Sequence, residues 1–292
     1  MAFDLAATSA FMTAHARLLD RRRFAVRFDG GDPDLALAAL EAYRNPDGGY
    51  GALEPDLRAV ESQPVGAMHA FEVFEDVAPV TSPRAVELCA WLETVTLPDG
   101  GVPFAVPVQS AAGCAPFWTN ADPNKASLQI SAIVTAMAHR AARHDPAIAE
   151  HPWLKRATDY CLATIDTEGE QAESMALAFA LQVLDAAGGP EAEALVVKLG
   201  GRIPEDGRMK VLGGSPDEYM RPLDFTPLPG GPVRKLFDPQ LIEAELDRLE
   251  AEQQDDGGWR VDFASYSPAA ALEWRGYATV RAVLVLRRNG VI

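Results

Sequence analysis

The sequence predicts an all-α fold, a single domain over residues 1–292 built from a repeating helix–turn–helix unit. Three observations predict it. Apolar residues recur with helical period in long separate stretches, and no run alternates as a half-buried strand would. An Asp-Gly-Gly turn returns at matching places along the chain. The 23 glycines and 22 prolines gather between the periodic stretches, so ordered loops join the helices.

Taken in order, the period predicts helices over 5–23, 33–44, 64–77, 82–96, 125–143, 152–165, 170–187, 190–200, 238–252 and 268–288. Asp32 before Pro33, Ser82 before Pro83 and Ser267 before Pro268 are start signals. A short polar side chain accepts from free amides of the first turn, and proline there forfeits no hydrogen bond. Asp122 or Asn124 is the expected cap of the helix at 125. Short and long helices alternate, as in an inner and an outer ring sharing one wall. The loops 45–62, 97–124, 201–237 and 255–267 would then gather at the ends of the ring.

The repeat is explicit. Leu40-x3-Arg44-x3-Gly48-x-Tyr50, Leu92-x3-Thr96-x3-Gly100-x-Val102 and Leu249-x3-Gln253-x3-Gly257-x-Trp259 align without gaps. Each places an aspartate before its glycine pair, at Asp47, Asp99 and Asp256, and a worn copy reads Glu205-Asp206-Gly207. The leucine packs the last helical turn, and glycine takes the positive φ where the helix stops. The residue after the glycines tucks back beneath the helix, with Trp259 covering free carbonyls and Gln253 bonding to backbone.

Composition narrows the function. Hydrophobic residues at 48% against 23% charged fit a folded globule. The 26 basic and 42 acidic side chains leave a net charge of −16, a field that repels nucleic acid and anionic membrane surfaces. The basic runs Arg21-Arg22-Arg23 and Arg287-Arg288 fall near predicted helix ends, where cations favour the dipole and face solvent. Cys89, Cys114 and Cys161 are too few and too scattered for a disulfide framework. No signal peptide or membrane span is evident, and a cytoplasmic location is expected. His15, His69, His139, His144 and His151 show no metal-ligand spacing and read as structural or exposed; no metal or other cofactor is expected.

The element Gln253-x3-Gly257-x-Trp259, with its two weaker copies, resembles the repeat of the prenyltransferase and squalene cyclase superfamily. The resemblance covers the repeat turns and the helix rhythm. It implies an α/α toroid, roughly an (α/α)5–6 barrel, with an isoprenoid or other apolar small molecule in a central cavity. It further implies a terpene cyclase-like or prenyltransferase-like activity. The Asp-x-Asp-Asp acid motif and the Asp-Asp-x-x-Asp metal motif of such enzymes are absent. Asp159 stands two residues before Cys161 as in a zinc-binding prenyltransferase, but no histidine follows Cys161 to complete the ligands.

Four places carry polar residues among apolar ones. In Glu54-Pro55-Asp56-Leu57-Arg58, Asp56 and Arg58 either pair to staple the loop or line a cavity mouth with Arg58 holding an anionic group. In the segment around Trp118, Asp122 is a helix cap or a carboxyl desolvated by aromatic neighbours, and Trp118 a cation-stabilising face. Asp224, beside Phe225, is either a turn carboxylate or a buried general acid that protonates an alkene. On the last helix Glu273, Arg275 and Tyr277 spread over different faces, so not all can face solvent. A Glu or Arg turned inward needs a partner or a ligand, and Trp274 either packs as core or lines the site. Asp224 and Asp122 are thus the catalytic candidates, and Asp56, Arg58, Trp118, Phe225, Glu273, Trp274 and Arg275 the substrate-binding ones. Two alternatives stand beside the isoprenoid enzyme. One is a non-catalytic ring holding a lipid or a protein partner; the other is a carbohydrate-active barrel with paired carboxylates.

Overall fold

A computed structural model describes residues 3–292. The long helices are α1 (Leu5–His15), α2 (Leu18–Phe28), α3 (Pro33–Glu41), α4 (Pro64–Asp76), α5 (Pro83–Val95), α7 (Leu128–Ala142), α9 (Pro152–Glu168), α10 (Ser174–Ala187), α11 (Gly189–Gly200), α13 (Pro239–Ala251) and α14 (Pro268–Arg288). Single turns form α6 (Pro116–Thr119), α8 (Pro146–Ala149) and α12 (Pro222–Phe225). The only strands among the described residues, β1 (Met209–Lys210) and β2 (Tyr219–Met220), pair antiparallel inside the 201–237 loop. Two residues each are too few to show an alternating pattern.

The start signals act as the sequence predicts. Asp32, Ser82 and Ser267 each accept an amide of the following first turn, and each precedes a proline. Two expectations need correction. The predicted helix 5–23 is two helices, broken where Ala16 and Arg17 turn extended, with no glycine or proline to announce it. Helix α7 begins at Leu128 capped by Ser127, not by Asp122 or Asn124.

The repeat turns share one hydrogen-bond pattern. In each, the residue two before the aspartate exchanges backbone bonds with the glycines: Asn45 with Gly48 and Gly49, Leu97 with Gly100 and Gly101, Gln254 with Gly257 and Gly258. Each aspartate accepts from the second glycine's amide, at 2.9, 3.0 and 3.1 Å. Each first glycine has positive φ, which any larger residue adopts only under strain. In the worn copy Asp206 still accepts from Arg208, but Pro204 occupies the exchanging position and has no N–H to give. Tyr50, Val102 and Trp259, which follow the glycines, are all buried. The Trp259 indole donates to the Leu249 carbonyl at 2.7 Å, closing the helix end as predicted. Gln253 reaches further, donating to the Asp4 carbonyl and accepting from the Asp4 amide, both at 2.8 Å.

Each turn docks on another helix, three of the four passing over the long helix that follows in the chain. The first glycine of the turn after α3 abuts Glu87 of α5, and that after α5 abuts Arg156 and Tyr160 of α9. The turn after α11 meets Pro222 and Leu241, and the turn after α13 meets Ala7 and Thr8 of α1. Behind these helices run the most buried ones: α4 packs on α7 and α7 on α10, while α2 lies between α4 and α14. Contacts then continue from α10 to α12, from α12 to α13 and from α13 to α14. Among the described residues, no helix is long and apolar enough to cross a membrane, and the three cysteines are free and buried.

Candidate functional site

The core helices are apolar almost throughout, which makes their exceptions informative. Every residue of α4 is buried except Met68, Glu72 and Glu75, which share one face at spacings of four and three. On α10 Met175 and Phe179 are half-buried and Gln182, three residues further on, is buried; on α14 Trp274 and Tyr277 are half-buried and Arg281 is exposed. The Tyr277 hydroxyl donates to Glu72 at 2.7 Å, and Arg281 pairs with Asp224 at 2.6 Å. Gln182 donates to the Asp224 carbonyl at 2.8 Å and accepts from Arg140 of α7 at 3.0 Å. The Arg281 side chain remains 46% exposed while it holds Asp224.

Beside these residues lies a largely buried charge network. Arg23 binds Asp76 at 2.6 Å and Glu72 at 3.1 Å, and Arg27 binds Asp76 at 2.7 Å. His69 meets Glu54 at 3.0 Å through Nε2 and Glu72 at 3.4 Å through Nδ1. Burial alone would make His69 less basic, but its two carboxylate partners outweigh that and its pKa is raised. Burial likewise opposes charge on Glu72, but the Arg23 guanidinium and the His69 and Tyr277 hydrogen bonds hold it down at about 2. Burial first, then the Glu72 charge, pushes the Tyr277 phenol well up, so it remains a donor.

These shifts have opposite linkage. A histidine more basic when folded stabilises fully below its unfolded value near 6.5 and loses that contribution as pH rises through the folded one. Glu72 contributes above its ordinary 4.5, and that contribution is lost as pH falls toward about 2. Wild-type urea midpoints are therefore expected to decline as pH rises above about 6.5, and the His69→Gln protein should lack that decline. Equal slopes in the two proteins would remove His69 from the account.

The sequence-predicted residues divide. Asp56, Arg58, Glu273 and Trp274 come together, but Asp56 and Arg58 do not pair with each other. Buried Asp56 accepts from the Trp274 indole at 2.7 Å and the Tyr266 amide at 2.8 Å, while Arg58 pairs with Glu273 at 2.6 Å. Trp274 also meets Phe263 and Tyr277 edge to face. Arg275 is engaged elsewhere, gripping Asp256 of the last repeat turn through two bonds and lying over the Phe11 ring. Phe225 is fully buried against Phe237. Asp224 accepts from both the Arg221 amide and Arg281, so each oxygen serves as an acceptor.

Asp122 is exposed and accepts from the Asn124 amide. It borders a recess of about 790 Å³ between the starts of α7 and α10, together with Phe104, Phe117, Lys125 and Gln129. The Trp118 ring lies tilted against Phe104, which lines that recess, at 4.6 Å between ring centres.

The histidine–carboxylate network and Arg140 are the residues that sequence reasoning passed over. Arg23, read as a solvent-facing cation, is buried because α2 starts only at Leu18 and Arg23 falls in its interior. A signal was present: Arg23 with Arg27, Glu72 with Asp76, and Tyr277 with Arg281 each recur four residues apart on helices that otherwise bury apolar side chains. No family model and no curated protein matches the chain.

Proposed function

We propose that this chain is a closed α/α ring of the (α/α)5–6 kind, related to the prenyltransferase and squalene cyclase repeat proteins, whose interior binds one small amphipathic molecule. Two features support the ring: outer helices pass their terminal turns forward until the turn after α13 rests on α1, and the inner contacts run from α14 through α2, α4 and α7 to α10. The observation that carries the binding reading is the set of stripes on α4, α10 and α14. Met68, Met175, Phe179 and Trp274 offer apolar surface, while Glu72, Tyr277, Arg281 and Gln182 offer hydrogen bonds. Such a wall suits a molecule with an apolar body and a polar end better than a pure hydrocarbon, which would strand those polar groups.

The catalytic form of this reading is a terpene cyclase-like or prenyltransferase-like reaction on an isoprenoid with a polar end. Tyr277, held protonated, and Glu72, held ionised, share a 2.7 Å hydrogen bond and would orient the polar end of the substrate rather than exchange its proton. Native mass spectrometry of freshly purified protein tests binding, and product analysis after incubation with prenyl alcohols, prenyl diphosphates and squalene tests catalysis. A one-to-one adduct released on denaturation is expected. Absence of any adduct, together with unchanged recovery of every compound, would sink the proposal.

A further inference from the structure

Arg140 of α7 is a half-buried cation without a carboxylate partner among the described residues. Arg23, Arg27 and Arg281 each hold one. Its partners are neutral: Gln182 Oε1 at 3.0 Å and the Met137 sulfur at 3.6 Å. The Gln182 amide cannot turn to meet it differently, because its nitrogen is committed to the Asp224 carbonyl. Burial lowers the Arg140 pKa, and the charges of Glu75 and Glu72 offset this only in part. A guanidinium offers five N–H groups, and two contacts leave several unspent. Its Nε has no hydrogen-bond partner among the described residues and is not enclosed, unlike Arg27 Nη2, Arg44 Nε and Arg234 Nε, so that N–H is open to water or to a ligand.

Resting on the interior-binding reading, we infer that Arg140 anchors the polar end of the bound molecule, and that this end is a carboxylate. The apolar part of the ligand lies along Met175 and Phe179, which precede Gln182 on the same face of α10. Seven residues of helix give that stripe a length of about 10 Å, room for a chain of medium length. A single negative charge fits best. Glu72 and Glu75 already stand near Arg140, and the protein carries a net charge of −16, so a diphosphate would meet repulsion that one carboxylate escapes. The planar guanidinium fork matches a carboxylate through two parallel hydrogen bonds.

Calorimetric titration with octanoate and with 1-octanol tests this. Wild type is expected to prefer octanoate by about tenfold or more, the worth of one charge-assisted contact. Arg140→Gln should erase the preference while leaving octanol binding in place, and Arg140→Lys should keep part of it as a point charge. Equal affinity of wild type for the two probes, or a preference that survives in Arg140→Gln, would overturn the inference and leave interior binding standing. Binding of neither probe would overturn both. The wild-type comparison does not depend on either variant folding.

Discussion

Replacing Arg23 with methionine is expected to cost about 3 kcal/mol of folding stability, read as a lowered denaturant midpoint at unchanged slope. The side chain is buried, and its removal takes one cation from between Asp76 and Glu72. Breaking a buried pair costs about 3–5 kcal/mol because the remaining charge keeps its desolvation penalty and loses its partner. The lower end is expected here. Asp76 keeps Arg27, and Glu72 keeps His69 and the Tyr277 hydroxyl. A double-mutant cycle with Asp76→Asn separates pairing from packing, since the methionine fills most of the space of the arginine stem. A coupling of about 1–3 kcal/mol is expected between residues sharing a 2.6 Å bond. Additive costs would mean that the two act independently and that the network is not a unit. The same substitution should loosen the wall of the site, because Glu72 positions Tyr277 and is itself positioned by Arg23.

What was legible in the sequence is local. A helix start needs only a short polar side chain beside a proline, so Asp32, Ser82 and Ser267 announce themselves. A glycine turn needs only its own five residues, and the three copies close on identical hydrogen bonds. The break between α1 and α2 was not legible, because it is made by Arg17 reaching the Leu53 carbonyl and Asp20 from outside the helix end. The site is harder still. Tyr277 meets Glu72, and Trp274 meets Asp56, across more than two hundred residues of chain, and nothing near either residue names its partner. Asp56 and Arg58 illustrate the point: neighbours of opposite charge suggest a pair, yet each is taken by a residue of α14. The regular four-residue spacing of charged residues on α2 and α4 marked the helix faces that carry the network, but which cation would face which acid was decided by how the helices pack.

The proposed closure of the helices into a ring can be tested at one glycine. Gly257 has a φ of +88°, and a Cβ there would fall inside the van der Waals surface of the Ala7 carbonyl. Gly257→Ala therefore carries two penalties, a left-handed backbone costing about 1–2 kcal/mol and an overpacked contact costing about 1–3 kcal/mol. Gly290 also has positive φ, at +76°, but nothing lies within 4 Å of its would-be Cβ. Gly290→Ala thus isolates the backbone term. The expected result is a distinctly larger loss of stability for Gly257→Ala, accompanied by faster amide exchange along α1. Gly48 gives an intermediate case, since its Cβ would stand 3.1 Å from the Glu87 carbonyl, close enough to need a small shift. If Gly257→Ala costs no more than Gly290→Ala, the last repeat turn does not bear on the first helix. The chain would then be an open stack of helix pairs, with no enclosed interior for Arg140 and Tyr277 to line.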